Sequence, residues 1–178
     1  MICTYMSPEQ HIEALTTNKA HRLASCGQPC LMTPVEIMDD DENILPIGER
    51  GEIVVRGTLV MAGYYKNKGA TDEVTASNGW HRTGDIGVKD EDGFVYIVDR
   101  KKDMIISGGF NVYPSEIEQV VWGHDAVQDC AVVGVPDEKW GEAVKAVIEL
   151  KPGQTVSAEE IIALCKEEIG SVKAPKTV

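Results

Sequence analysis

The chain has 178 residues, 43% of them hydrophobic and 26% charged, with a formal net charge of −12, which are the proportions of a folded globular protein rather than a disordered one. The acidic balance argues against a nucleic-acid surface, since phosphate binding needs clustered Lys and Arg, and Arg100-Lys101-Lys102 is the one local basic run of note. No apolar run approaches the roughly 20 residues of a membrane helix and the N-terminus lacks a secretory layout, so no membrane span and a cytoplasmic setting are expected.

Cysteines at Cys3, Cys26, Cys30, Cys130 and Cys165 are odd in number and scattered, which suits a reducing compartment better than a disulfide framework. Cys26 and Cys30 with His21 nearby form at most half a zinc site, with no second Cys/His pair at ligand spacing. The expectation is no metal.

Residues 1–30 read as loop or a short helix. Ser7-Pro8-Glu9-Gln10 offers an N-cap, a proline at the first helical position and a glutamine at the third. From Leu31 the pattern turns to antiparallel β structure. Val35-Glu36-Ile37-Met38 alternates, an acidic turn follows through Asn43, and Gly51–Gly57 brackets a β-branched run. Met61–Tyr65 reads as a turn with aromatic packing, and Thr71 as the cap of a short helix through Val74. Asp90-Glu91-Asp92-Gly93 joins two strands, Thr83–Gly87 and Phe94–Val98, in a hairpin.

Beyond Arg100 the code becomes mixed α and β. Met104-Ile105-Ile106 is a short strand that runs into Ser107-Gly108-Gly109. A helix spans about Pro114 to Trp122 with Ile117, Val120 and Val121 on one face and stops at Gly123. Ala131–Val135 and Ala143–Leu150 read as strands. Ser157 with Glu160 forms a capping box for a helix carrying Ile161, Leu164, Cys165 and Ile169 inward, ended by Gly170. The expected fold class is α+β, an antiparallel β-barrel-like subdomain followed by a small α/β lid. Its boundaries are 1–30 as a remnant of a larger domain, 31–99 as the β subdomain, 100–103 as a hinge and 104–178 as the lid.

A few residues can carry chemistry. Asp85, at a turn after Thr83-Gly84, can accept two hydrogen bonds from a vicinal diol such as a ribose, or can bond its own backbone. Arg100 can fork onto ribose or phosphate oxygens, or pair with Asp99 or Asp103. Two glycines between paired strands, Gly108 and Gly109, point either to a ligand close to the backbone or to a tight turn. Lys173 can reach phosphate oxygens or stay solvated. His11, His21, His81 and His124 have no partner at catalytic spacing, and neither a Ser-His-Asp set nor a carboxylate pair stands out.

Three motifs carry a resemblance: Trp80-His81-Arg82-Thr83-Gly84-Asp85; Asp99-Arg100-Lys101-Lys102-Asp103 running on to Pro114-Ser115-Glu116-Ile117-Glu118; and Pro136-Asp137-Glu138-Lys139-Trp140-Gly141-Glu142. In this order they resemble the AMP-forming acyl-CoA synthetases of the adenylate-forming enzymes, in their fatty-acid and aryl-acid CoA ligase branch. The resemblance implies ATP or AMP, coenzyme A, a carboxylic acid substrate and, for a whole enzyme, Mg2+ whose ligand is not in this sequence. It implies Asp85 and Arg100 as nucleotide-binding residues and Lys102 as the hinge at which a lid swings; the bland reading of Lys102 is one member of a solvated basic run. It implies Gly108, Gly109 and Trp140 along the coenzyme A path, with Lys173 as a further contact and packing against the lid as the other reading of Trp140. The family's phosphate-gripping loop, its Tyr-Gly-x-Thr-Glu segment and its late Gly-Lys, whose Lys neutralises charge during adenylation, are not in these residues. The sequence therefore resembles about the last third of such an enzyme and is expected to be inactive alone. The alternative is a non-catalytic nucleotide- or CoA-binding module acting with a partner chain, and exposed β edges leave a homodimer open.

Overall fold

The computed structural model describes residues 3–178; the first two residues of the 1–30 segment lie outside them. The chain divides into two compact units, one ending at Lys101 and one running from Lys102 to Val178. Among the described residues no helix is long and apolar enough to cross a membrane.

The first unit opens with a two-stranded ribbon, β1 (Thr4–Tyr5) against β2 (Gln28–Pro29), enclosing α1 (Pro8–Thr16) and a 3-10 turn (Ala20–Ala24). Both halves of the capping box form at α1: Ser7 Oγ accepts from the Gln10 N–H, and Gln10 Oε1 accepts from the Ser7 N–H. This segment is fastened to the β structure that follows. Arg22 is buried, lies 4.7 Å over the Phe94 ring and pairs with Glu13 and Asp92.

Next comes an antiparallel meander of β3 (Val35–Met38), β4 (Arg50–Val55), β5 (His81–Lys89) and β6 (Val95–Arg100), in that order across the sheet. Val35, Ile37, Ile53, Val55 and Val95 form one core cluster, and Met38, Val54, Ala76 and Trp80 another. The sheet is open and does not close into a barrel, because β3 and β6 never pair. Four short strands do not reach the width and stagger at which a barrel closes. The outer edge of β6 is instead partly covered by residues before β2, with Cys26 N–H donating to Val95 O and Val95 N–H to Gly27 O. Between β4 and β5 stands α2 (Lys68–Glu73), capped by Asn67, whose side chain accepts from the Ala70 N–H. Thr71 is thus inside that helix rather than its cap, and its hydroxyl back-bonds to Asn67 O. Tyr64 and Tyr65 are exposed, so the expected aromatic packing there does not form.

The second unit is a sheet in the order β8-β7-β10-β9, made of β7 (Ile105–Ser107), β8 (Phe110–Val112), β9 (Val127–Asp137) and β10 (Gly141–Leu150). Packed with it are α3 (Pro114–Trp122) and α4 (Ala158–Ile169). Strand alternation buries Val127, Cys130, Val132, Val144 and Ala146 beside Ile117, Val121, Ile161 and Cys165, and leaves Val133 and Val147 exposed, as in a sheet covered on one face. Ser157 caps α4 by accepting from the Glu160 N–H.

Candidate functional site

In the first unit the site begins with a register change. Glu52 of β4 faces Ile86 of β5 while Val54 faces Arg82, so Thr83-Gly84-Asp85 stand opposite the single residue Ile53 and bulge from the ladder. Gly84 takes φ +76°, a left-handed value that glycine adopts without strain. Thr83 ties the bulge down, its hydroxyl donating to Ile53 O at 2.8 Å and accepting from the Asp85 N–H at 3.1 Å. Asp85 thereby faces Arg100 at the end of β6 as a direct cross-strand partner, and Arg100 Nη1 lies 2.9 Å from Asp85 Oδ1. The guanidinium thus meets Asp85 across the strands, while the Arg100 N–H donates to Asp99 Oδ1 at 2.7 Å. The pair leaves the Arg100 side chain 58% exposed and Asp85 25%, so both still present hydrogen-bonding atoms to an incoming polar group. An exposed ion pair of this kind contributes little to stability.

Beneath the bulge is a residue that sequence reasoning missed. Glu52 is buried, and its Oε1 accepts from the Gly84 N–H at 3.1 Å while Oε2 receives Arg82 Nη1 at 2.9 Å and Lys101 Nζ at 3.1 Å. Its only sequence signal is a charged residue inside the Gly51–Gly57 apolar run. Burial alone lowers the Lys101 pKa, but the pairs with Asp40 and Glu52 outweigh it and raise the net value.

In the second unit the Gly-Gly segment is a two-residue hairpin turn between Ser107 and Phe110, with φ +59° at Gly108 and +84° at Gly109. Positive φ at both central residues is what such a turn requires. Gly108 also lies against Trp140: a Cβ there would sit 2.6 Å from the indole Cε3, and the Gly108 N–H donates to Trp140 O at 2.8 Å. The third motif fastens this arrangement. Asp137 Oδ1 accepts from the Lys139 and Trp140 N–H groups, Gly141 pairs with Ser107, and Glu142 Oε2 accepts from the Ile106 N–H. Trp140 remains 37% exposed, with Lys139 Nζ 4.8 Å and Lys176 Nζ 5.5 Å from its ring, within reach of cation–π attraction.

The structure thus joins Asp85 to Arg100, and Gly108 to Trp140, each within one unit. Lys173 is held by Glu116 at 2.7 Å rather than left free. Lys102 lies in a 3-10 turn (Lys101–Asp103), exposed and with no ion-pair partner among the described residues.

Two family models match the chain, the AMP-binding enzyme over residues 2–65 and the AMP-binding enzyme C-terminal domain over residues 116–178. The chain belongs to the AMP-binding enzymes. Among relatives of this family, the Medium/long-chain-fatty-acid–CoA ligase FadD8 of Mycobacterium tuberculosis is 45% identical over 100% of this chain and 31% of its own length. A feruloyl-CoA synthase of an Amycolatopsis species is 42% identical over 92% of this chain and 34% of its own. The o-succinylbenzoate CoA synthetase of Bacillus subtilis, solved with its acyl-adenylate intermediate, superposes with a TM-score of 0.81 at 36% identity, covering 99% of this chain and 34% of the other. The chain therefore spans about a third of the length of the relatives it matches.

Proposed function

We propose that this chain supplies the ribose-binding and lid portion of an ATP-dependent carboxylate–CoA ligase. In that reaction a carboxylate attacks the α-phosphorus of ATP and releases pyrophosphate; the CoA thiolate then attacks the acyl carbonyl and releases AMP. The observation that carries this reading is the facing Asp85–Arg100 pair on a fastened bulge. Asp85 accepts from the two ribose hydroxyls, and Arg100 donates to ribose or phosphate oxygens. Relatives named for fatty-acid and feruloyl-CoA formation support a carboxylic acid as the acyl donor.

Lys102 is the torsional pivot in this reading, since an exposed side chain with nothing to break costs little when the backbone rotates. The Gly108–Gly109 turn and the indole of Trp140 make a backbone-lined edge along which a pantetheine arm can lie. Lys173 reaches a coenzyme A phosphate only by exchanging Glu116 for it. Among the described residues no three carboxylate, histidine or cysteine groups converge in a way that could hold a metal ion.

The test is an NMR titration of the chain with AMP. Shifts are expected around Asp85 and Arg100, with affinity no tighter than millimolar, about −4 kcal/mol, and Asp85→Ala should abolish them. The chain alone should show no pyrophosphate exchange. AMP shifts that survive Asp85→Ala overturn the proposal.

A further inference from the structure

We infer that Glu52 is a positioning residue for the nucleotide site: its buried carboxylate fixes both the bulge that carries Asp85 and the strand end that carries Arg100. The inference rests on the nucleotide reading above and adds a residue that none of the three motifs contains.

Three segments meet on this one side chain. Oε1 holds the Gly84 N–H, next to Asp85, and Oε2 holds Arg82, where the bulge leaves the ladder, and Lys101, the residue after Arg100. The bulge is otherwise held by the Thr83 hydroxyl and by the pairing of Asp85 with Arg100, and the Gly84 amide would be left without its acceptor if Glu52 were removed. A glycine at φ +76° has wide conformational freedom, so that hydrogen bond, together with the charges on Arg82 and Lys101 that Glu52 holds, helps set where the next residue, Asp85, points.

Glu52 also sits at the centre of an alternating chain of charges. Glu42 Oε1 is 3.1 Å from Arg82 Nη2, Arg82 Nη1 is 2.9 Å from Glu52, Glu52 is 3.1 Å from Lys101, and Lys101 is 2.7 Å from Asp40. Of these five charged groups, only Glu52 is nearly withdrawn from solvent, at 5% side-chain exposure. By strand alternation it shares a face with Val54, which packs with Met38 and Trp80. Burying a carboxylate beside such residues gains no stability over an apolar side chain of similar size. What a carboxylate provides and an apolar residue cannot is simultaneous acceptance from an amide, a guanidinium and an ammonium. That is a reason of geometry, and the geometry it sets is that of Asp85 and Arg100.

The experiment compares AMP with 2′,3′-dideoxy-AMP, which lacks both hydroxyls, as ligands in NMR titrations of the 178-residue chain and its variants. The wild-type chain should prefer AMP. Glu52→Gln keeps an acceptor for Gly84 but loses the charge that holds Arg82 and Lys101, and should cut the preference by about fivefold, the size of one lost hydrogen bond. Val54→Ala, a cavity variant on the same strand, should lower the melting temperature and leave the preference intact, since loss of stability alone does not re-aim Asp85. Should Glu52→Gln not fold by circular dichroism, Lys101→Met removes one partner, leaves the carboxylate in place and is expected to act in the same direction. A folded Glu52→Gln, or Lys101→Met in its place, with the wild-type preference overturns the inference while Asp85→Ala still tests the nucleotide reading. A wild-type chain that binds both ligands equally overturns both.

Discussion

Substituting alanine at the two hairpin glycines separates two requirements that coincide in the Gly108-Gly109 turn. At Gly109, φ is +84° and an added Cβ meets nothing within 4 Å, so Gly109→Ala incurs only the left-handed backbone cost of about 1–2 kcal/mol. At Gly108, φ is +59° and the Cβ would stand 2.6 Å from Cε3 and 3.0 Å from Cζ3 of Trp140. The ring must move, taking with it the contact to the turn, and overpacking of this kind adds about 1–3 kcal/mol. Gly108→Ala should therefore destabilise the second unit more than Gly109→Ala does, and the excess should disappear in the presence of Trp140→Ala. Urea unfolding followed through the buried methyl groups of Ile117, Val121 and Val144 reads the second unit specifically. A double-mutant cycle between positions 108 and 140 should give a coupling of about 1–3 kcal/mol, while the cycle between 109 and 140 should give none. Equal destabilisation by the two glycine variants, or a 108–140 coupling of zero, refutes the argument that Trp140 is packed on this turn.

Two further outcomes test local electrostatics. Burial, then the hydrogen bond to Asp90 at 3.0 Å and its negative charge, push the Tyr96 phenol up to about 12. Folding thus favours the protonated phenol, and its stabilising contribution is whole below about pH 10 and lost as the pH rises through about 12. Asp90→Asn should lower the midpoint of the tyrosinate absorbance assigned to Tyr96, and an unmoved midpoint counts against that hydrogen bond. Burial likewise pushes the Cys130 thiol up to about 11, helped by Glu118, Cys165 and Asp129, and raises Cys165. Since the thiolate is the reactive form, iodoacetamide at neutral pH should leave both unmodified in the folded chain and label them in urea. Rapid native labelling of Cys130, located by peptide mass, would contradict its burial.

How much was legible in the sequence depended on how local the interaction is. Helix starts at Pro8 and Ala158 follow from a serine cap and its neighbours within one turn, that at Pro114 from the proline itself, and the Asp90–Gly93 hairpin from its own turn residues. The family could be read from three motifs because each is contiguous. Even there a local signal misled where two residues competed: Asn67 outcompetes Thr71 as the cap because its carboxamide lies one turn earlier, at the first free N–H groups.

Pairing across the chain was decided only by the tertiary structure. That Arg100 meets Asp85 depends on the register of β5 against β6, and a slip of one residue would send the two side chains to opposite faces. Asp99 is nearer along the chain, but a strand turns neighbouring side chains to opposite faces, and the Asp99 carboxylate accepts from the Arg100 N–H. Glu52 was invisible for the same reason, since its partners lie 30 to 49 residues further on and converge only when a bulge opens opposite it. Openness of the first sheet was undecidable from strand patterns too, because alternation tells a strand which face is buried and nothing about which edge is paired. The amino-acid order by itself thus determined most of the elements, the serine caps and the motifs that mark the family. Register, edge pairing and the buried carboxylate that joins three segments came from packing at a distance, where no residue's neighbours in sequence carry the information.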